Sequence, residues 1–438
     1  MDLTGASTFR VAACDLNGQM RGKRVPASYM DTLERGALRM PISIMVADIF
    51  GADVDACPLV FATGDADGVL LPTERGPVPM PWLPHPTPLV PMGMHHEDGG
   101  AFSCDPRHAL GAVLDRYKAR GWRVIAATEL EFTLVDDSGE ALRPARDPRT
   151  GRAMSGPHIL SVDHIDRLDG FFTDLYAGAD AMEIPAQATT SESGVAQFEV
   201  TLTHQDAMRA ADDAWLFKSL IRGTARTHGM AATFMAKPFA EDAGNGLHVH
   251  FSVLDEAGQN VFDNGGPNGS EVLLSAVAGC LEALVPSTLI FAPHANSYDR
   301  MVPGAHAPTS VCWAYENRTA AIRVPGGAPA ARRIEHRVAG GDTNPYLVFA
   351  AIFGAALMGI EDGLSPPAAM TGNAYDQTFP QLITDWSAAV ETFTSDPILP
   401  RLFDPELIAN FGLTKRQELQ RLGEIPKDQH WKTYLEAV

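Results

Sequence analysis

Cysteine is scarce in this 438-residue chain: five residues, at 14, 57, 104, 280 and 312, with no CxxC or other ligand spacing. That argues against a thiolate metal site and reads as reduced, packed thiols in a cytoplasmic protein. Basic charge is also short, with 34 Lys and Arg against 54 Asp and Glu and a formal net charge of −20. Such a balance argues against nucleic acid and anionic membrane as partners and mildly favours cationic substrates. Long apolar runs are missing. The uncharged, apolar-rich stretch 343–360 starts with polar residues and is interrupted by Gly354. It reads as a buried helix opened by Asn344 and Pro345 rather than a membrane span. The first residues lack a basic start followed by an apolar core, so no signal peptide is expected. There is no internal repeat and no low-complexity tract. Strand-like and helix-like segments do not alternate regularly, which points to an α+β fold rather than a doubly wound sheet or a barrel.

What is present centres on GNGLHVHFSV, residues 244–253. Leu247, Val249, Phe251 and Val253 alternate with His248, His250 and Ser252, the period of a strand with one apolar face. The two imidazoles and the hydroxyl then share the other face, where they can hold a metal or a phosphate. Ordinary core or surface histidines account for the pair as simply. The device recurs: Glu129 and Glu131 lie two apart in VIAATELEFTLV, Glu192 and Glu199 flank a short loop in ESGVAQFEV, and Arg333, Glu335 and Arg337 alternate in ARRIEHRV. Neighbouring carboxylates in apolar strands repel and lose hydration, so they stay charged only around a cation. Glutamates with an imidazole suit Mg²⁺ or Mn²⁺ better than a structural zinc. For a single pair, a solvated edge strand is the simpler explanation. Three carboxylate segments, an HxH strand and an arginine-rich strand in one chain are harder to dismiss.

Along the chain, FRVAACDL, MPISIMVADIF and PLVFAT read as short strands. Pro72 to Pro91 holds eight prolines in twenty residues, a composition that excludes a helix or a central strand and reads as an ordered boundary loop. Asp105-Pro106 opens a helix with Leu110, Val113, Leu114 and Tyr117 on its apolar face, stopped by Gly121. Further helices are expected around Phe171–Tyr176, after an Asp206 cap, and after Ser270. AATFMAKPF reads as a strand. Residues 291–340 are loops and strands dense in arginine: Arg300, Arg318, Arg323, Arg332, Arg333 and Arg337.

Taken in order, ELE, ESGVAQFE, KPF with GNGLHVHFS, NSYDRMVPG, NRTAAIRVP and ARRIEHRVAGGDTNPY resemble the glutamine synthetase family, from about residue 100 to the C-terminus and more weakly before it. The sequence is most similar to the γ-glutamylamine branch, the γ-glutamylputrescine and polyamine synthetases. The resemblance implies a small N-terminal β-grasp domain over 1–103 and a large catalytic domain over 104–438 with a curved antiparallel sheet. It also implies stacked hexameric rings forming a dodecamer, with each site between neighbours, and the use of ATP with two or three Mg²⁺ or Mn²⁺ ions per site. Carried over motif by motif, Glu131, Glu192 and Glu199 match the ligands of one metal, and Glu129, His248 and Glu335 those of a second. His250, Ser252 and Arg333 match nucleotide contacts. Gly244, Arg300 and Arg337 match glutamate contacts, and Arg318 and Arg323 the arginines at the transferred phosphoryl group.

The implied chemistry suits these residue types. A carboxylate is a poor acyl donor because its leaving group would be oxide; phosphorylation by ATP turns that leaving group into phosphate. Metals and arginines neutralise the charge that moves. The sequence departs from the ammonia-using members at two places. Where their flap carries a glutamate, RMVPGAHAPT places His306, a candidate general base because imidazole titrates near neutrality; it can equally be a loop cap. Their Asp-Gly-Ser-Ser run has no counterpart, and Asp48 in MPISIMVADIF is the nearest carboxylate. His306 and the 44–50 region of a neighbouring subunit are therefore expected to frame an amine pocket. Tyr375, in GNAYDQ, reads as a loop tyrosine, with nucleotidylation as the alternative. Glutamate–amine ligation competes with ordinary glutamine synthesis, with a non-catalytic ring-forming structural or regulatory role, and with a zinc hydrolase built on the HxH, which would need regular βα repeats.

Overall fold

The computed structural model describes residues 6–85, 87–156, 158–302 and 307–438. The strands β1 (Thr8–Cys14), β2 (Met20–Pro26), β3 (Leu38–Pro41), β4 (Asp67–Pro72) and β5 (Leu89–His95) form a mixed five-stranded sheet in the order β2-β1-β5-β4-β3. Only β1 and β5 run parallel in it. Two of the expected strands are helical turns instead: Ile42–Val46 is a 3₁₀ helix and Pro58–Phe61 a single α turn. Their apolar residues do not alternate, so nothing in the pattern holds them to a pleat. The end of the proline-rich segment also differs from expectation, because β5 is a central strand and contains Pro91. The position is tolerated because pairing with β1 ends at Pro91 and pairing with β4 starts at Met92. No ladder needs the missing N–H there.

The second sheet holds β6 (Arg123–Asp136), β7 (Arg143–Pro144), β8 (Ala186–Ser191), β9 (Gln197–Asp206), β10 (Ala231–Thr233), β11 (Leu247–Leu254), β12 (Trp313–Tyr315), β13 (Ile322–Val324) and β14 (Ile334–His336). Its main path is β12-β13-β14-β11-β6-β9-β8. It is antiparallel except for the parallel β12–β13 pair, a departure from the all-antiparallel expectation. Long β6 alternates along its length: Val124, Ala126, Leu130 and Phe132 are buried, while Ile125, Ala127, Glu129 and Glu131 are half-buried on the opposite face. The apolar face is covered by helices. Asp105 caps Pro106–Lys118, Asp206 caps Ala207–Thr227, Ser270 caps Glu271–Leu284 and Asn344 caps Pro345–Glu361, each through its side chain. The last helix is almost wholly buried; Phe353 meets Phe251 of β11 with ring centroids 5.1 Å apart. No helix among the described residues is long and apolar enough to cross a membrane.

The two sheets share one buried core running from Phe9 to Val438. Polar contacts reinforce it: Trp215 Nε1 donates to Gly18 O at 2.9 Å, Asn344 Nδ2 to Asp15 O at 2.9 Å, and both Asn17 Nδ2 and the Ile49 N–H to Glu418 Oε1 at 2.8 Å.

His164, in the short Val162–Asp166 helix, is fully buried without a partner for either ring nitrogen. Burial, then the neighbouring His158 and Arg167, lower its pKa from 6.5 to about 4. The folded state thus keeps the ring neutral while the unfolded chain protonates it. The resulting stability is complete above pH 6.5 and is lost as the pH falls towards 4. His164→Phe should therefore lose less stability than the wild type between pH 7 and pH 4.5, read as a smaller drop in urea midpoint; equal drops would show that His164 contributes nothing to acid lability.

Candidate active site

The exposed-side residues of the second sheet converge because of register. His248 on β11 stands opposite Glu129 on β6, His250 opposite Glu335 on β14, and Glu199 on β9 opposite Glu131. Glu129 is the hub: its carboxylate oxygens lie 2.9 Å from His248 Nδ1 and 3.0 Å from His250 Nε2. Arg333 Nε donates to Nδ1 of His250 at 3.3 Å, which leaves Nε2 as the nitrogen facing Glu129. Two groups of ligand atoms follow, Glu129–Glu199–His248 and Glu129–His250–Glu335, each with its atoms within 4.8 Å of one another. These groupings differ from the two sets that the sequence motifs imply, because one carboxylate bridges both imidazoles. Glu131 instead accepts the Gly246 N–H at 2.6 Å, and Glu192 lines the same cavity.

The electrostatics call for cations. Burial, with Glu129, Glu131 and Glu192 close by, pushes Glu199 up to about 9. Burial and Glu131 push Glu192 up to about 7. Burial also pushes Glu129 upward, but its hydrogen bonds to His248 and His250 outweigh that and hold it well below the carboxylate range. Glu335 is fully buried, and the nearby Arg337 and His250 overcome its burial to lower its pKa. Glutamates and imidazoles without thiolate are the donor set of a hard divalent ion, and the crowded acids gain most from one.

Two cavities meet at Glu129. One, of about 470 Å³, is lined by Glu129, Glu131, Glu192, Glu199, His248, Gly244, Arg300, Arg318, Arg337 and Tyr375. Arg300 is buried there and donates to Val338 O at 2.9 Å; burial lowers its pKa, and Glu131 and Asp342 oppose that shift. The other, of about 570 Å³, is lined by His250, Ser252 and Arg333 together with Ile125, Ala127, Leu202, Phe251 and Leu254. The structure thus brings thirteen of the sixteen candidate site residues together around these cavities or clusters; Arg323, Asp48 and His306 stand apart.

Arg323 lines neither cavity: it is ion-paired to Glu335 at 2.7 Å and to Glu316 at 3.4 Å. Its place is behind a metal-ligand candidate, where it neutralises that carboxylate. Asp48 does not face an amine pocket. Its side chain is fully buried, accepts the Phe50 and Ala52 N–H groups at 3.0 Å and Gln417 Nε2 at 2.8 Å, and pairs with Arg421. Every acceptor position is in use, so it pins the 42–52 segment to the Pro405–Gly423 helix rather than facing an amine. His306 lies outside the described residues.

Gln197 was not singled out from sequence, although it sits two residues before Glu199 and so shares its face. Its Nε2 donates to Gly244 O at 2.8 Å, Asn245 Oδ1 at 3.1 Å and Glu131 Oε2 at 3.4 Å, while its Oε1 accepts the Gly194 N–H at 2.7 Å. Supporting groups of this kind typically alter metal affinity about 10–100-fold. Gln197→Ala should weaken Mg²⁺ binding by that order in calorimetric titration; an unchanged affinity would confine Gln197 to loop packing. Tyr375 is half-buried and donates to Ala307 O at 3.1 Å, the placement of a loop tyrosine that also closes the arginine-lined cavity.

Paired carboxylate–imidazole clusters between an arginine-rich cavity and an apolar one suit a metal-dependent enzyme that handles phosphate groups. Comparison with known proteins narrows it. Residues 103–434 match the family described as glutamine synthetase, catalytic domain. The chain is 35% identical over 419 residues, 95% of its length and 89% of the relative's, to the γ-glutamylputrescine synthetase PuuA of Escherichia coli. It is 32% identical to a glutamate–isopropylamine ligase of a Pseudomonas species, over 98% of this chain and 95% of the other. Among solved structures, a GmaS/ADP complex superposes with a TM-score of 0.84 at 28% identity, covering 99% of this chain and 97% of that one. The chain belongs to the glutamine synthetase family, whose members are ATP- and divalent-metal-dependent ligases.

Proposed function

We propose that this protein is an ATP-dependent ligase joining the γ-carboxylate of glutamate to an amine, with release of ADP and phosphate. The observation that carries the reading is Glu129, shared by two cation clusters at the junction of the two cavities. The second cavity, apolar with Ser252 and Arg333 at its edge, takes the nucleotide; the first takes glutamate against Arg300, Arg337 and Gly244. Mg²⁺ or Mn²⁺, held by Glu129, Glu131, Glu192, Glu199, His248, His250 and Glu335, would supply charge neutralisation on the phosphoryl oxygens. Arg318 stands at the same cavity to meet the transferred group, and its guanidinium suits phosphate geometry. The γ-carboxylate oxygen takes the terminal phosphoryl group of ATP, giving γ-glutamyl phosphate and ADP. The amine nitrogen then bonds to the acyl carbon, the C–O bond breaks, and phosphate leaves with the electron pair. The nitrogen's proton passes to a base, for which His306 is our candidate. Asp48 is spent inside the fold and the sequence has no Asp-Gly-Ser-Ser run, which favours an amine over ammonium as the acceptor.

The reading extends to a homo-oligomer of stacked hexameric rings, a cytoplasmic location, and a division near residue 103 between an N-terminal β-grasp-like domain and the catalytic domain. The test is glutamate- and Mg²⁺-dependent phosphate release from ATP, with hydroxylamine as a general trap for the acyl phosphate and products identified by mass. γ-Glutamyl hydroxamate is the expected product. Hydrolysis of ATP without glutamate dependence, or none at all, would overturn the reading. Faster turnover with ammonium than with any amine would convert it to glutamine synthesis.

A further inference from the structure

Six large apolar side chains are exposed among the described residues, and three of them, Ile159, Leu160 and Val162, lie on one four-residue segment. Ile159 is 57% exposed and Leu160 73% exposed, yet both line the arginine-rich cavity rather than the outer surface alone. The backbone there is not slack. Leu160 has φ +58°, a left-handed conformation that a leucine adopts only at a cost. It is held by its N–H donating to Ser191 O at 2.8 Å, with the next N–H, of Ser161, donating to Ser191 Oγ at 2.9 Å and Ser191 Oγ donating to His158 O. Ser191 is fully buried and ends β8, immediately before Glu192. One short stretch therefore positions both a metal-ligand carboxylate and an apolar wall, in fixed relation.

Strain spent to hold a leucine towards water implies an apolar occupant. We propose that Ile159 and Leu160 receive the apolar substituent of the acceptor amine, so that the nucleophile is a primary monoamine bearing an alkyl or arylalkyl group. The inference rests on the amine-ligase reading and specifies its substrate class. The cavity's acids select against a diamine: all four carboxylates lining it are Glu129, Glu131, Glu192 and Glu199, the same groups that the cations require. Among the described residues lining this cavity, no further carboxylate is left to seat a second ammonium, and the apolar wall offers that group no acceptor. Ammonium would leave the apolar wall wet.

The experiment compares kcat/KM for isobutylamine, benzylamine, putrescine and ammonium in the full-length protein with ATP, Mg²⁺ and glutamate, alongside the hydroxylamine trap. Wild-type protein should prefer isobutylamine or benzylamine over putrescine and ammonium by at least tenfold. Ile159→Asp, which adds an acceptor to the wall, should move the putrescine-to-isobutylamine ratio at least tenfold towards putrescine. A gain of that kind cannot come from misfolding. Leu160→Gly, which relieves the backbone and removes the side chain, should raise the KM for isobutylamine at least tenfold. Hydroxamate formation with a wild-type preference for putrescine or ammonium would overturn the inference and leave the ligase reading standing. An unchanged ratio in Ile159→Asp would overturn it too, and dissociation by light scattering in the same variant would reassign the wall to a contact between copies. Absence of glutamate-dependent hydroxamate would remove the ligase reading and the inference with it.

Discussion

Glu129→Gln should lower glutamate-dependent phosphate release by at least about 10³-fold, because several kcal/mol of charge stabilisation are at stake and each 1.36 kcal/mol is a factor of ten. Glu129 belongs to both ligand clusters and hydrogen-bonds both imidazoles. The amide keeps the shape but loses the charge, leaving each cluster one anionic ligand short. His250→Ala, by contrast, removes a ligand from one cluster only. It should cost less, and should fall more on the nucleotide KM, because His250 also lines the apolar cavity. Calorimetric Mg²⁺ titration of the two variants, with steady-state kinetics, separates the cases. Glu129→Gln within tenfold of wild type would mean that neither cluster holds a catalytic ion.

The second large effect concerns stability. Gly279→Ala should destabilise the fold by about 3 kcal/mol or more, at the upper end of what overpacking a core costs. Helix propensity alone would favour alanine by about 1 kcal/mol, so the sign is decided by the crossing of Glu271–Leu284 with Pro345–Glu361. A Cβ at Gly279 would lie 2.1 Å from Ala355 O and 2.7 Å from Gly359 N, and one at Gly359 would lie 2.2 Å from Ser275 O. The near neighbours are backbone atoms on both sides, so no side chain can swing away, and the helices must separate. Pro345–Glu361 also packs beneath β11 through Phe353 and Phe251, which links the crossing to the histidine strand. The urea unfolding midpoint measures the loss; an unchanged or raised midpoint would show that the crossing has slack.

The fold and the site were legible in the sequence to different depths, and for physical reasons. Local rules sufficed wherever one segment carries its own signal. Asp105, Asp206, Ser270 and Asn344 mark helix starts because a short polar side chain reaches the next free N–H groups, and each does so here. Alternation in LHVHFSV and TELEF placed His248, His250, Glu129 and Glu131 on one face before any partner strand was known. The order of motifs then named the family, and with it the set of residues to expect.

Tertiary structure decided what no single segment encodes. Which carboxylate faces which imidazole depends on the register between β6, β9, β11 and β14, and that register makes Glu129 the shared ligand. Pro91 sits in a central strand because the strand changes partners at that residue. Asp48 reads as an available carboxylate in sequence, yet packing against the Pro405–Gly423 helix uses all of its acceptor capacity. Ile159 and Leu160 have no periodicity to betray them: their meaning comes from a backbone held at positive φ by Ser191, at the mouth of a cavity assembled from strands far apart in the chain. Sequence alone determined the chemistry available, because residue type and spacing fix what a strand can present. Only the fold determined which of those groups meet, because long-range pairing sets distance and burial, and those decide charge and reactivity.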